Sequence, residues 1–332
     1  PLELLVPQTR DGVEPFQTVI LGAFQRRSEV LGALIPQLYV KGLSVRDISD
    51  TFRQVLEEEG ISPATASRVS QTIRADFKAW RTRSLAGYEV LYLFVDGMHL
   101  KLAPDRDEKQ PVLIAYAILA NGQKVLLHID LGDRESYEAC LGFLRDMVER
   151  GLRGPLLYCS DDCPGLRKAL KAVWPRSLPQ KCQAHKMRNI LAKLPRRVQG
   201  DLRKQIHRVF RAGDYDEGLR RGRALIGHYR DRYPRAMECL EKSLAECLTC
   251  LKLPASHRRR VRTTNSLERL IEEGRRRTKV LSTIPDEQAG LSLVHAVLLD
   301  VSKRWHGIRI APRDLEKLAL LRSKLEPLAA SA

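Results

Sequence analysis

Between Tyr88 and Gly132 the chain carries three strand-like runs in succession, and these narrow its possible folds more than any other feature. They read VLYLFVDGMHLKLA (Val90 to Ala103), PVLIAYAILA (Pro111 to Ala120) and QKVLLHIDLG (Gln123 to Gly132). Asn121-Gly122 separates the last two, and this pair supplies the positive φ angles that a tight hairpin needs. A helical period then runs from Ser136 to Arg150, with Ala139, Leu141, Leu144 and Val148 as its apolar side. GPLLYCSDD follows as a short buried strand ending in polar residues, then a helix from Pro164 to Trp174, then SLPQKCQAH as a fifth strand. Strand-helix-strand crossovers are right-handed, which makes the fourth and fifth strands parallel to the first.

This order of elements is that of a ribonuclease-H-like domain, an α/β fold with a mixed five-stranded sheet. Residues 88–185 form the first part of that core. The strand signals stop at Lys186, and residues 186–261 read as an all-α insertion. Residues 262–332 supply the final core helices and a C-terminal tail, with GLSLVHAVLLDVSKRW (Gly290 to Trp305) the most apolar piece. Residues 1–87 read as an α-helical DNA-binding region. Ser44 caps a helix with Val45, Ile48 and Phe52 on one face; after Gly60, Ser62 and Pro63 open a second helix that runs to Trp80. Two helices across a turn at about 44–80 have the form of a helix-turn-helix, the second bearing Thr65, Ser67, Arg68, Gln71 and Arg74. A plain helical hairpin has the same pattern.

Charge points to the partner. Lys and Arg outnumber Asp and Glu by 57 to 40, a net charge of +17 spread along the whole chain, and a polyanion such as double-stranded DNA is the simplest counterpart. The seven cysteines are an odd number without a regular framework, which favours a reducing compartment. No run reaches the roughly 18–20 apolar residues of a membrane span. The expected setting is therefore the cytoplasm, with no membrane and no small-molecule substrate. The first residue is Pro1, which leaves room for a preceding segment.

The chemistry rests on three acids. Asp96 stands among Leu93, Phe94 and Val95 in a strand, where a carboxylate is costly without a metal or a cation. Asp161 ends the strand that should lie beside the first, so the two carboxylates can meet at one sheet edge. Glu268, in RTTNSLERLIEEGRRRTKV, can close a capping box with Asn265 or serve as a third ligand. Oxygen ligands suit Mg²⁺ or Mn²⁺, and two such ions clamp the attacking and leaving oxygens of a phosphoryl transfer. Arg258, Arg259, Arg260 and Arg262 precede the helix of Glu268, and Arg275, Arg276, Arg277 and Lys279 follow it. With Arg68 and Arg74 they are the candidate DNA contacts.

FVDGMHLKL, CSDDCPGLRKALKAVWP, QKCQAHKMRNI and RTTNSLERLIEEGRRRTKV together resemble the successive blocks of the Mutator-type bacterial insertion-sequence transposases, the group of the IS256 elements. The likeness runs from about residue 35 to about residue 305. It implies a DDE transposase whose triad falls on Asp96, Asp161 and Glu268, which would hold two Mg²⁺ ions. It implies terminal inverted repeats and target DNA as partners, a homodimer, and a bacterial, nucleoid-associated setting. It also implies that Cys182 and His185 of the Cys-x-x-His block lie near the catalytic pocket. Where the family usually has Gly after the second Asp, this chain has Asp162, so Asp161 and Asp162 are alternatives for the metal. The N-terminal DNA-binding portion is also short for the family.

Three other readings stand beside this one. Cys159, Cys163, Cys182 and His185 are ligand types that zinc accepts, although their spacing is awkward for one site. The chain could be a non-catalytic helix-turn-helix regulator, or a ribonuclease-H-like nuclease without strand transfer. If the basic surface serves DNA, affinity should fall steeply with salt. A footprint of roughly 6–10 phosphates would lose about 10³-fold or more between about 50 and 200 mM. A flat response in a fluorescence-anisotropy titration would assign the charge to another purpose.

Overall fold

The computed structural model describes residues 63–100, 110–132, 136–278 and 286–325. The first helix of the expected helix-turn-helix, the Ser62 cap of the second, and Lys279 lie outside them. The chain divides into two compact units, Pro1–Ile73 and Arg74–Ala332. Helix α1 (Pro63–Thr82) begins on Pro63, where a missing N–H costs nothing, and its residues from Arg74 onward belong to the second unit.

The second unit is built on strands β1 (Val90–Leu100), β2 (Gln110–Leu119), β3 (Lys124–Leu131), β4 (Leu157–Ser160) and β5 (Leu178–Lys181). They form one mixed sheet in the order β3-β2-β1-β4-β5. β1, β2 and β3 are antiparallel neighbours, whereas β4 and β5 run parallel to β1. The crossovers are α2 (Tyr137–Glu149) and α3 (Pro164–Val173). Ser136 caps α2 by accepting from the Ala139 N–H, which stops the preceding turn and starts the helix.

Strand alternation divides the core in two. Tyr92, Phe94, Ile114, Tyr116 and Cys159 enter a front cluster. Leu93, Val95, Leu113, Ala115 and Tyr158 enter a back cluster with α2 and α3. On the front, Phe94 stacks on Tyr116 at a centroid distance of 4.4 Å. That face is closed by α10 (Asn265–Thr278), through Leu267, Leu270 and Ile271, and by α11 (Glu287–Ser302), through Leu291, Val294 and Leu298.

Between β5 and α10 the chain is helical throughout. It runs through α4 (Gln183–Leu191), α5 (Arg196–Phe210), α6 (Tyr215–Tyr229), α7 (Pro234–Glu241), α8 (Leu244–Leu248), a 3₁₀ turn and α9 (Ala255–Val261). Residues from Met187 to Leu251 pack into a third core of their own, including Ile206, Phe210, Met237 and Leu248. The expected fifth strand is shorter than SLPQKCQAH. It ends at Lys181, Cys182 takes the helix N-cap position, and the Lys186 N–H donates to the Cys182 carbonyl, so Cys182 and His185 sit on a helix start. Among the described residues no helix is long and apolar enough to cross a membrane.

The Asn121-Gly122 hairpin has a second duty. Gly122 has φ +83°, and its carbonyl accepts from the Ile308 N–H at 2.9 Å, docking the segment after α11 against the β2–β3 turn before α12 (Pro312–Ser323) begins. A Cβ at position 122 would collide with the Ile308 carbonyl oxygen. Gly122→Ala is expected to cost about 2 kcal/mol or more, from the backbone strain together with the lost docking bond. The midpoint of urea unfolding would report it, and an unshifted midpoint would mean that the C-terminal segment does not rest on this turn.

Candidate active site

Register brings three side chains into one row at the carboxyl ends of the parallel strands. β1 and β4 pair Tyr92 with Leu157 and Phe94 with Cys159, and Asp96 and Asp161 each follow two residues beyond that last pair. β4 and β5 pair Ser160 with Lys181, so one residue further on Asp161 stands opposite Cys182. Parity then decides the face. Phe94, Cys159 and Cys182 belong to the front cluster, and Asp96 and Asp161 follow them at even spacing onto the face that α10 covers.

Asp96 is 5% exposed and accepts from the Gly97 N–H at 3.0 Å. Burial, followed by the negative charge of Asp161, pushes its carboxyl up to about 7; the charge of His185 opposes this and that of Glu268 adds to it. The three acids therefore lie close enough to be felt at one carboxyl group. Asp161 also accepts from the Cys163 N–H at 3.1 Å, which fixes its turn at the start of α3.

Asp162, left open as an alternative by the sequence, is engaged elsewhere. Lys181 donates to one of its carboxylate oxygens and Lys186 to the other, at 3.2 Å for Lys186. Both lysines are buried, and their hydrogen bonds and charges outweigh burial to hold the Asp162 carboxyl below its ordinary value. Arg167, nearby, makes two 2.7 Å bonds to the Glu246 carboxylate.

Glu268 arrives on the first turn of α10, which starts at Asn265. Its Oε1 accepts from Arg188 at 2.8 Å and lies 3.4 Å from His185 Nε2, so the carboxylate reaches across to α4. The joint between these segments lies just upstream. The Thr264 N–H and hydroxyl both donate to Cys182 Sγ, at 3.3 and 3.4 Å, and the Gln183 N–H donates to the Arg262 carbonyl at 3.0 Å. Burial alone would raise the Cys182 thiol, but its bonds with His185 and Thr264 win and lower it. His185 is correspondingly raised to about 9, by Cys182 first and then by Asp96 and Glu268 against the effect of burial.

The candidate DNA contacts have mixed surroundings. Arg258 donates to the carbonyls of Leu253 and Gly213, Arg74 pairs with Asp286, and Arg276 pairs with Glu273. Arg259, Arg260 and Arg275 are exposed, and Arg262 is half-buried beside the joint. Helix α1 carries Arg68 and helix α10 carries Arg277, but their side chains are outside the described set. Two cations that the sequence did not single out join Arg259 and Arg262. Burial, and then Arg211 and Arg259, lower Arg262; burial, and then Arg211, Arg262 and Arg203, lower His207. Arg203, Arg211, Arg259 and Arg262 thus form a self-repelling cationic patch contributed by α5 and the end of α9. Only folding reveals it, because α5 alone reads as a solvated charged helix.

A family model described as "Transposase, Mutator family" matches residues 1–307. The chain is similar to the transposase for insertion sequence element ISRM5 of Rhizobium meliloti, with 33% identity over 92% of this chain and 76% of that protein. It is similar to the transposase for IS6120 of Mycolicibacterium smegmatis, with 32% identity over 84% of this chain and 86% of that protein. It is also similar to the transposase for IS256 in transposon Tn4001 of Staphylococcus aureus, at 29% over 92% and 78% of the two chains.

Removing the Asp162 charge would leave two buried ammonium groups facing each other. Asp162→Asn is expected to destabilise the fold by on the order of 3 kcal/mol, the cost of breaking a buried ion pair from one side. Denaturant unfolding measures it, and a loss below about 1 kcal/mol would show that Glu246, 3.9 Å from Lys181, suffices alone.

Proposed function

The chain belongs to the Mutator family of transposases and is a DNA transposase; from that premise we propose that Asp96, Asp161 and Glu268 are its catalytic acids, a DDE triad on a ribonuclease-H-like core. What supports this reading best is a single observation: the charges of Asp161 and Glu268 both act on the buried carboxyl of Asp96. A site that crowds anions in a low-dielectric pocket suits divalent cations, and its oxygen donors suit Mg²⁺ or Mn²⁺. Asp96, Asp161 and Glu268 are the residues that would hold two such ions. When bound, the ions supply Lewis acidity at the scissile phosphate and activate the attacking oxygen.

The chain's own residues do the rest. Asp96 and Asp161, on adjacent strands of the sheet, form the fixed side of the site. Glu268, carried by α10, forms the side brought in by the returning chain, with Arg188 and His185 orienting its carboxylate. Arg188 and His185 also present positive charge where a DNA phosphate would approach. The patch of Arg203, Arg211, Arg259 and Arg262 extends that field along the insertion and orients the DNA backbone. A water molecule cleaves at the element end, and the freed 3′-OH then attacks a phosphodiester of target DNA. The helical N-terminal region, with Arg68 and Arg74, would read the terminal inverted repeats.

A loss of about 4 kcal/mol in transition-state stabilisation is a thousandfold in rate. Asp96→Asn, which removes charge without changing shape, is expected to lower Mg²⁺-dependent cleavage of a terminal-repeat duplex by at least roughly that factor. Binding to the same duplex should stay within about threefold. Cleavage surviving in the variant would remove Asp96 from the chemistry. Equal loss of binding and cleavage would assign it to folding.

A further inference from the structure

The Cys182, His185 and Glu268 side chains converge on a point that the transposition chemistry does not require. One ligand-capable atom from each lies within 4.8 Å of the other two, and this is the one such trio of His, Cys or acidic residues found among the described residues. We propose that these three residues form a zinc site, with a fourth position open to water, and that zinc bound there withdraws Glu268 from the Mg²⁺ ligands.

The geometry fits this metal class. Zinc binds nitrogen and oxygen at about 2.0–2.1 Å in a tetrahedral arrangement, which sets an N···O separation of roughly 3.3–3.4 Å between two ligands. His185 Nε2 and Glu268 Oε1 are 3.4 Å apart. Cys182 and His185 follow the C-x₂-H spacing at the first turn of α4, a spacing that presents sulfur and imidazole to one side. Supporting groups are already in place. The Thr264 N–H and hydroxyl donate to the sulfur, and Arg188 donates to the carboxylate. Such outer bonds orient ligands and hold their charge. Mg²⁺ prefers an octahedron of oxygens and has little use for a thiolate, so sulfur and imidazole make the trio selective for zinc-like ions.

The regulatory half of the inference rests on the catalytic role of Glu268 proposed above. A zinc ion that takes the Glu268 carboxylate toward Cys182 and His185 draws it away from Asp96 and Asp161, where the catalytic reading needs it. Zinc would therefore be an inhibitor that competes through Glu268 and not through the DNA surface.

Cobalt(II) titration of the whole 332-residue chain after chelator treatment tests the site without any turnover. One equivalent should produce a thiolate-to-cobalt charge-transfer band and tetrahedral visible bands, both abolished by one equivalent of zinc and neither produced by Mg²⁺. Cys182→Ser should remove the charge-transfer band. Because that change also loosens the Thr264 joint, Glu268→Gln is the second variant; its thermal melt should match the parent and its zinc affinity should fall at least about tenfold. A missing charge-transfer band in the parent, or unchanged zinc affinity in Glu268→Gln, would overturn the site. In millimolar Mg²⁺, stoichiometric zinc should suppress cleavage and a chelator should restore it. Full zinc occupancy without loss of cleavage would overturn the competition. A zinc-free chain that never cleaves would count against the catalytic reading, and the cobalt result would still decide the site.

Discussion

The bonds from Thr264 to the sulfur of Cys182 hold the arrangement together. They join segments 82 residues apart in the chain, at the point where the polypeptide leaves the sheet for its helical insertion and the point where it returns. Had the return been left to the insertion alone, every small shift in a seven-element helical stack would have moved Glu268 relative to the strands. The sulfur, with the Gln183 to Arg262 backbone bond beside it, closes that loop locally. The position of α10 is thereby referred to the end of β5 and becomes independent of the detour between them.

Electrostatics explains why the closure has to be firm. Asp96 is buried and already resists ionisation, and the approach of two more carboxylates makes that worse. An anionic cluster of this kind pushes its members apart unless each is fixed by something else. Asp161 is fixed by the Cys163 N–H, Glu268 by Arg188 and His185, and Asp96 by the strand that carries it. The repulsion is stored in the site by these restraints, ready to favour a cation. The same logic runs in reverse on the insertion, where Arg203, Arg211, Arg259 and Arg262 repel one another and favour an anion.

The sheet was legible because its signals are local. Near-continuous apolar runs in β1 and β2, and Asn121-Gly122 between β2 and β3, mark the strands and their hairpin without reference to the rest of the chain. The meeting of Asp96 with Asp161 followed from strand order alone. Other features depend on distant partners and left weaker traces. QKCQAH contains no glycine or proline after Lys181, so nothing in it marks where strand becomes helix. Asn265 and Glu268 have capping-box spacing, but α10 begins on Asn265 itself and the Glu268 carboxylate is claimed by Arg188. The pairing of Asp162 with Lys181 and Lys186 joins residues whose relevance to one another no spacing rule could reveal.

That lysine pair has a consequence for folding fidelity. β4 is only four residues long, too short for its own ladder to resist sliding by one position. Such a slide would carry Asp162 to the front of the sheet and Asp161 to the back. In the observed register the Lys181 and Lys186 ammonium groups tie the end of β4 down through Asp162, and the Asp161 carboxylate is left to the Cys163 N–H.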